Sequence, residues 1–341
     1  MTRISFLSTA HIHAQPWIES IAKAGDGRRL HLVWDDVPER GRRHAALAGG
    51  TFEPSLDRVL ADAATDGFAI ASENAPKQPL LTRALATGKP VLCEKPVALT
   101  VAQADEIATL IARHGTTMVN GYVFPFMGCY QAVMRLVANR AFGQITHVSF
   151  RNAHGGAWWR WFDDAALAWF HDPAKAGGGG LLDEGTHGLH LLRWLFGPVK
   201  RVWATHRNLS HQYPSADDFG VIHLDFASGV FGTVEGSWVQ TAGPKGLQIC
   251  GSEAALSADK PQEYRVHRGN ATVPVKNAEP RPSELDRLVA AIRGTLDRDE
   301  HRVDLTAALD AARIMAAALA SARDGRWIEL APAAAIAVAQ R

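Results

Sequence analysis

The chain has 341 residues, 47% hydrophobic and 21% charged, with a formal net charge of +1. That length and composition allow two domains with ordinary cores, and the balanced charge provides no field that favours nucleic acid or an anionic membrane. Three cysteines, Cys93, Cys129 and Cys250, are too few and too scattered for a disulfide framework or a zinc knuckle.

In the first third, short apolar runs alternate with helix-like segments. Ile4 to Leu7 reads as a strand, Trp17 to Ala24 as a helix, Leu30 to Trp34 as a strand and Arg40 to Ala48 as a helix. Gly67 to Ala71, a helix over Pro79 to Thr87, Pro90 to Cys93, the amphipathic Val101 to His114 and the strand Thr116 to Val119 complete the series. This rhythm predicts a doubly wound parallel sheet in an α/β domain over 1–120. Beyond Asn120 the pattern changes to period two, as in Gln144 to Phe150, Val221 to Phe226 and Gly229 to Trp238, which predicts a mostly antiparallel open sheet. The tail returns to helix over Ser283 to Arg293 and Thr306 to Arg323, and an alanine-rich stretch from Ala331 to Ala339 is expected to fray. No apolar run approaches the roughly 18 to 20 residues of a membrane span, and no signal-peptide plan is visible at Met1 to Leu7, so the expected compartment is the cytoplasm.

The turn after the first strand of a doubly wound domain normally presents glycines to a pyrophosphate. Here it reads Ser8-Thr9-Ala10-His11-Ile12-His13, with all three glycine positions replaced. Ser8 and Ala10 are small enough for a backbone approach, whereas His13 must crowd the helix or point aside. Asp35 stands where a carboxylate accepts ribose hydroxyls, about 20 residues beyond the loop. Asp36 beside it disfavours a 2′-phosphate and makes NAD the expected cofactor over NADP, while Arg40, Arg42 and Arg43 weaken that preference. The competing reading makes Asp35-Asp36 the start of a solvated turn.

Glu94-Lys95-Pro96 places an amine after an apolar run, and Gly178 to Gly180 lead into Asp183 and His187, one helical turn apart. An amine, an imidazole and an orienting carboxylate suit removal of a hydroxyl proton while hydride leaves the same carbon. The glycines are expected to let the chain pass close to a ligand.

Taken together and in this order, the loop, Asp35, Glu94-Lys95-Pro96 and the glycine run ending in Asp183 and His187 resemble the Gfo/Idh/MocA oxidoreductases, over nearly the whole length. Phe142 to Ile145 and the helix from Ser283 to Ile292 extend the match. The resemblance implies an N-terminal Rossmann domain that binds NAD(P) and a second α/β domain over 121–341 for substrate and for homo-oligomer formation through its open sheet. The C-terminal helices are expected to pack back on the first domain. It also implies hydride transfer at a secondary hydroxyl of a sugar, glycoside or polyol, with Lys95, Asp183 and His187 as the family's catalytic set. Ser72, Glu73 and Asn74 fall where relatives carry Thr-Pro-Asn beside the cofactor, so Ser72 and Asn74 join Ser8, Thr9, Ala10, His11, Ile12, Asp35, Asp36, Arg40, Glu94 and Lys95 as expected cofactor contacts. Two departures are Glu73 and Val123-Phe124, the latter where an arginine is common.

In the expected division of roles His187 accepts the hydroxyl proton, Asp183 orients the imidazole or contacts substrate, and Lys95 steadies the reacting oxygen. The Lys95 pKa is expected to fall beside an oxidised nicotinamide. Trp158 to Phe162, with Trp169 to His171, makes a carbohydrate platform or, equally, a packed core or interface. His154, Trp159 and Arg160 are the substrate contacts expected there. His11 with His13, and Asp183 with His187 or His190, combine on paper into metal sets, but their spacing defines no complete site, so no metal is expected. A redox-neutral glycosidase that uses NAD catalytically and a non-catalytic nucleotide or sugar sensor are the competing readings. No nucleic-acid or membrane partner is expected.

Overall fold

A computed structural model describes residues 1–331 and builds them around two sheets. Most of the alanine-rich tail, from residue 332 onward, lies outside the described residues.

The first sheet has strands β1 (Thr2–Leu7), β2 (Arg28–Trp34), β3 (Thr51–Phe52), β4 (Gly67–Ile70), β5 (Val91–Cys93) and β6 (Met118–Asn120). Their order is β3-β2-β1-β4-β5-β6, every pairing parallel. Ile4, Phe6, Phe68 and Ile70 are buried to 0% exposure, which is why β1 and β4 read as apolar runs rather than alternations. The crossovers are α1 (Ala14–Lys23), α2 (Pro38–Ala46), α3 (Leu56–Ala61), α4 (Lys77–Ala86) and α5 (Val101–His114). Local chemistry fixes the ends of α5: Thr100 and Gln103 form a reciprocal capping box, and Gly115 closes it at φ 61°. Because the strand order reverses between β1 and β4, a crevice opens at their C-terminal ends, where ligands of such sheets bind.

The second sheet contains β7 (Ile145–Ala153), β8 (Val199–Arg207), β9 (Phe219–Phe226), β10 (Phe231–Ser237), β11 (Gly246–Gly251), β12 (Ala255–Lys260), β13 (Glu263–Arg268), β14 (Ala271–Pro274) and β15 (Ile328–Glu329). It runs β14-β13-β12-β11-β7-β10-β9-β8-β15, with only β7 and β10 parallel. Along β9 residues alternate between half-buried and buried, because one face is covered and the other is not. The helices of this half are α6 (Gly128–Ala138), α7 (Pro173–Ala176), α8 (Gly180–Phe196), α9 (Glu284–Ile292) and α10 (Arg298–Asp324). Helix α8 beds closely on β10, since a Cβ at Gly236 would stand 2.7 Å from the Gly185 nitrogen.

Helix α9 joins the core of the first sheet through Leu285, Leu288 and Val289. Asp304 on α10, fully buried, accepts hydrogen bonds from Asn120 Nδ2 at 2.8 Å, His190 Nε2 at 3.0 Å and the Arg287 guanidinium, tying β6, α8, α9 and α10 together. Contrary to the sequence expectation, α10 is long and apolar enough to cross a membrane by length and composition. Its apolar window is 67% buried within the protein, so packing against α8, β8 and α5 accounts for the composition.

Candidate active site between the two sheets

Lys95 leaves the end of β5, and its backbone is gripped by Lys77 at the start of α4. Lys77 Nζ donates to the carbonyls of Lys95 and Pro96, both at 3.1 Å, and to Asn74 Oδ1 at 3.2 Å. Burial lowers the Lys77 pKa to about 8. Asp183 lies in the first turn of α8, whose start is held by Asp217: its carboxylate accepts from Gly179 N at 3.1 Å and Leu181 N at 2.8 Å. This revises the expected role of the glycine run. A Cβ at Gly179 would stand 2.1 Å from the Asp217 carbonyl oxygen, so that glycine admits the Asp217 backbone rather than a ligand.

Across the boundary Lys95 Nζ donates to Asp183 Oδ1 at 2.9 Å, and Trp238 Nε1 donates to Asp183 Oδ2 at 3.0 Å. The carboxylate therefore orients the amine and not the imidazole, a correction to the expected pairing along the helix. Burial alone would raise the Asp183 pKa, but the Lys95 charge and hydrogen bond hold it down to about 2. Burial alone would lower that of Lys95, and the charges of Asp183, Glu94 and Glu184 outweigh it and raise it. The three carboxylates around the amine thus favour its charged form. His187 is held well below its usual value, first by burial and then by the Lys95 charge, so its ring is neutral at pH 7. Its Nδ1 is buried without a partner, and the Phe124 and Tyr122 rings pack on it at 5.0 and 5.9 Å. Phe124 thus fills space beside the imidazole.

A second acidic pair adjoins the first. His154 Nε2 lies 3.2 Å from Glu184 Oε1, and donor atoms of His154, Asp183 and Glu184 fall within 4.8 Å of one another. His154 Nδ1 accepts from Gly156 N at 2.9 Å, so its Nε2 carries the proton toward Glu184. Burial and the Asp183 charge raise the Glu184 pKa. The His154 ring meets Trp161 at 4.7 Å, and Trp161 meets Trp159 at 5.2 Å, forming an aromatic wall that ends in the half-exposed Trp159. Arg160 does not join it: its guanidinium bonds Asp163 and Gln212 and lies over Tyr213. Glu184, Trp238, Lys77 and Asp217 escaped the sequence reading. Only Glu184 carried a signal, its adjacency to Asp183.

At the nucleotide loop Ser8 adopts φ 69°, the left-handed backbone that the first glycine of the fingerprint would supply, and its Oγ is buried without a partner. The loop shape and that free hydroxyl fit a dinucleotide. Thr9 N and Oγ1 donate to Asp35 Oδ2 at 2.8 and 2.7 Å, while Val37 N and Arg40 reach the same carboxylate. Asp35 is buried and engaged by these donors, whereas the neighbouring Asp36 has a side chain that is 55% exposed and is held by Arg40 Nη2 at 2.7 Å. Ala10 is buried, Ile12 projects outward, and the buried His11 donates its N–H to the Ala71 carbonyl at 2.7 Å. Ser72 Oγ donates to the Glu73 carbonyl, and Asn74 Nδ2 to the Ala176 carbonyl at 3.0 Å. Asn74 thereby fastens the first domain to α7. His190 is likewise removed from any pairing with Asp183 by its bond to Asp304.

Residues 8–122 match the model of the oxidoreductase family with an NAD-binding Rossmann fold, and residues 130–257 match the GFO/IDH/MocA C-terminal domain. The chain belongs to the Gfo/Idh/MocA oxidoreductases. It is 25% identical over 260 residues to 2,7-anhydro-N-acetylneuraminate hydratase of Mediterraneibacter gnavus, covering 72% of this chain and 67% of that one. It is 22% identical over 274 residues to 1,5-anhydro-D-fructose reductase of Ensifer adhaerens, covering 78% of each. The WlbA dehydrogenase of Bordetella pertussis, solved with NADH and UDP-GlcNAcA, shares the fold with a TM-score of 0.79 at 22% identity, over 97% of this chain and 99% of that one.

Proposed function

We propose that this Gfo/Idh/MocA protein oxidises or reduces a secondary hydroxyl of a sugar, glycoside or polyol, with NAD preferred over NADP. The observation that carries the reading is the Lys95–Asp183 pair at 2.9 Å beside a neutral, unpartnered His187. Bound dinucleotide supplies the hydride acceptor or donor. The free Ser8 hydroxyl would face its phosphate side, and Asp36 with Arg40 its adenosine ribose. Lys95, kept cationic by its carboxylates, hydrogen-bonds the reacting oxygen and stabilises charge on it. His187 takes the hydroxyl proton, for which a neutral ring is the competent form. Trp161 and Trp159 stack on the apolar face of a ring or an attached group.

Incubation with NAD and a panel of polyols and glycosides, read as absorbance of reduced cofactor, tests the reading. Turnover that is abolished in Lys95→Met and His187→Gln supports it, and undiminished turnover in either folded variant rejects the roles. The neighbouring His154–Glu184 pair favours one second reading, glycoside cleavage with no net redox change, because it supplies another group able to take a proton near the same carbon. Aglycone release without accumulation of reduced cofactor distinguishes it.

A further inference from the structure

We propose that Lys77 is a positioning residue, which makes the posture of the Lys95 turn depend on the docking of helix α7 from the second domain. The inference rests on the reading of Lys95 as the amine of the reaction. Lys77 Nζ is the hub of a relay with one arm in each domain. It donates to the carbonyls of Lys95 and Pro96 at 3.1 Å and to Asn74 Oδ1 at 3.2 Å. The other end of the same amide, Asn74 Nδ2, donates to the Ala176 carbonyl of α7 at 3.0 Å.

Two further contacts fasten α7 to this corner. Ala75 N donates to the Lys175 carbonyl at 2.8 Å, and Gly177, which closes α7 at φ 76°, lies so near Leu99 that a Cβ there would stand 2.5 Å from Leu99 Cδ1. Helix α7 therefore reaches the segment around Lys95 twice, through Leu99 and through Asn74 with Lys77. The Lys95 side chain then runs to Asp183 on α8, also in the second domain. Backbone and amine are thus set from the same domain, and a loosened backbone would carry the amine off its carboxylate.

Lys77 is only 1% exposed, and all three of its acceptors are uncharged oxygens. An ammonium supplies three N–H donors for them, whereas a neutral amine supplies two and turns its lone pair toward the third. The clamp is complete only in the protonated form. Glu94 and Glu73 face it and favour that form, Lys95 opposes it, and burial keeps the nearby Cys93 thiol and His11 ring neutral. Burial outweighs the carboxylates and lowers Lys77 to about 8, so the grip weakens as pH rises through that value.

Reductive methylation of the full chain, followed residue by residue by mass spectrometry, measures how firmly Lys95 is held, with Lys23, whose side chain is 78% exposed, as internal reference. In wild type the labelling of Lys95 relative to Lys23 should rise about tenfold between pH 7 and 9. Lys77→Met and Asn74→Leu, verified as folded by circular dichroism, should show the raised ratio already at pH 7. Lys77→Arg, which stays charged, should keep it low through pH 9, and Lys175→Met, where only the backbone makes the contact, should match wild type. Turnover number should fall about 100-fold in Lys77→Met with KM for the dinucleotide nearly unchanged. If the variants do not fold, the wild-type pH dependence decides alone. A wild-type ratio flat with pH, or one unchanged in folded Lys77→Met, overturns the proposal. Raised ratios in a chain that turns over no polyol or glycoside uphold the clamp and reject the hydride-transfer reading instead.

Discussion

Lys95 Nζ and Asp183 Oδ1 meet at 2.9 Å although one residue leaves β5 of the first sheet and the other opens α8 over the second. The pair is largely enclosed, with side-chain exposures of 6% and 13%. Removing one partner of such a pair strands the other charge, at a cost of about 3 to 5 kcal/mol. Lys95→Met should therefore lose stability of that order in urea unfolding at pH 7, whereas Lys95→Met combined with Asp183→Asn should recover part of it. Both variants should lose turnover by about 10² to 10⁴-fold, so stability and activity separate in the double variant.

His187 gives the fold a defined acid sensitivity. Its pKa is depressed in the folded chain and near 6.5 in the unfolded one, so below that pH the unfolded state binds a proton that the folded state does not. Stability contributed by this ring is intact above pH 6.5 and is lost as pH falls. The His187→Gln variant should differ from wild type by a shallower decline, about 1.4 kcal/mol per pH unit between pH 6.5 and the folded pKa. Urea unfolding at half-unit intervals from pH 7 to 5 checks the slope, and parallel curves would refute it.

Asp304→Ala should be among the most damaging substitutions outside the site. It leaves the buried Arg287 guanidinium without its carboxylate and frees His190 and Asn120, so a loss of about 3 to 5 kcal/mol is expected. Because the network spans β6, α8, α9 and α10, limited proteolysis should also become faster between the two sheets.

Cofactor choice should turn on Asp36. Replacing this exposed carboxylate with serine removes a negative charge from beside a 2′-phosphate and releases Arg40 from one of its two carboxylate partners, and NADP should gain about tenfold in affinity relative to NAD. Fluorescence titration of both dinucleotides measures the ratio. A ratio unchanged in Asp36→Ser and altered in Asp35→Ser would return the role to Asp35.

Strands and helices of the first sheet were legible because each carries its own signal: Val101–His114 has a capping box, a helical period and a terminal glycine, and its observed bounds equal the predicted ones. Short or edge elements were not. β3 has two residues, and β14 is exposed throughout, so neither leaves a pattern of burial. In the site, Lys95, Asp183 and His187 could be named from motifs, but their partners could not. Trp238 reaches Asp183 from 55 residues away, and Lys77 clamps the Lys95 turn from 18. The partners of Asp35 were hidden for a similar reason: nothing in the sequence shows that Thr9, Val37 and Arg40 fold onto this carboxylate at a strand end.

Ser8 holds a backbone angle that costs a residue with a Cβ about 1 to 2 kcal/mol and a glycine almost nothing. The loop has therefore changed its letters and kept its curve. Chains of this kind escape a search for spelled-out glycines, yet they remain recognisable to anyone who asks which residue bends left after the first strand, and what its idle hydroxyl is waiting to touch.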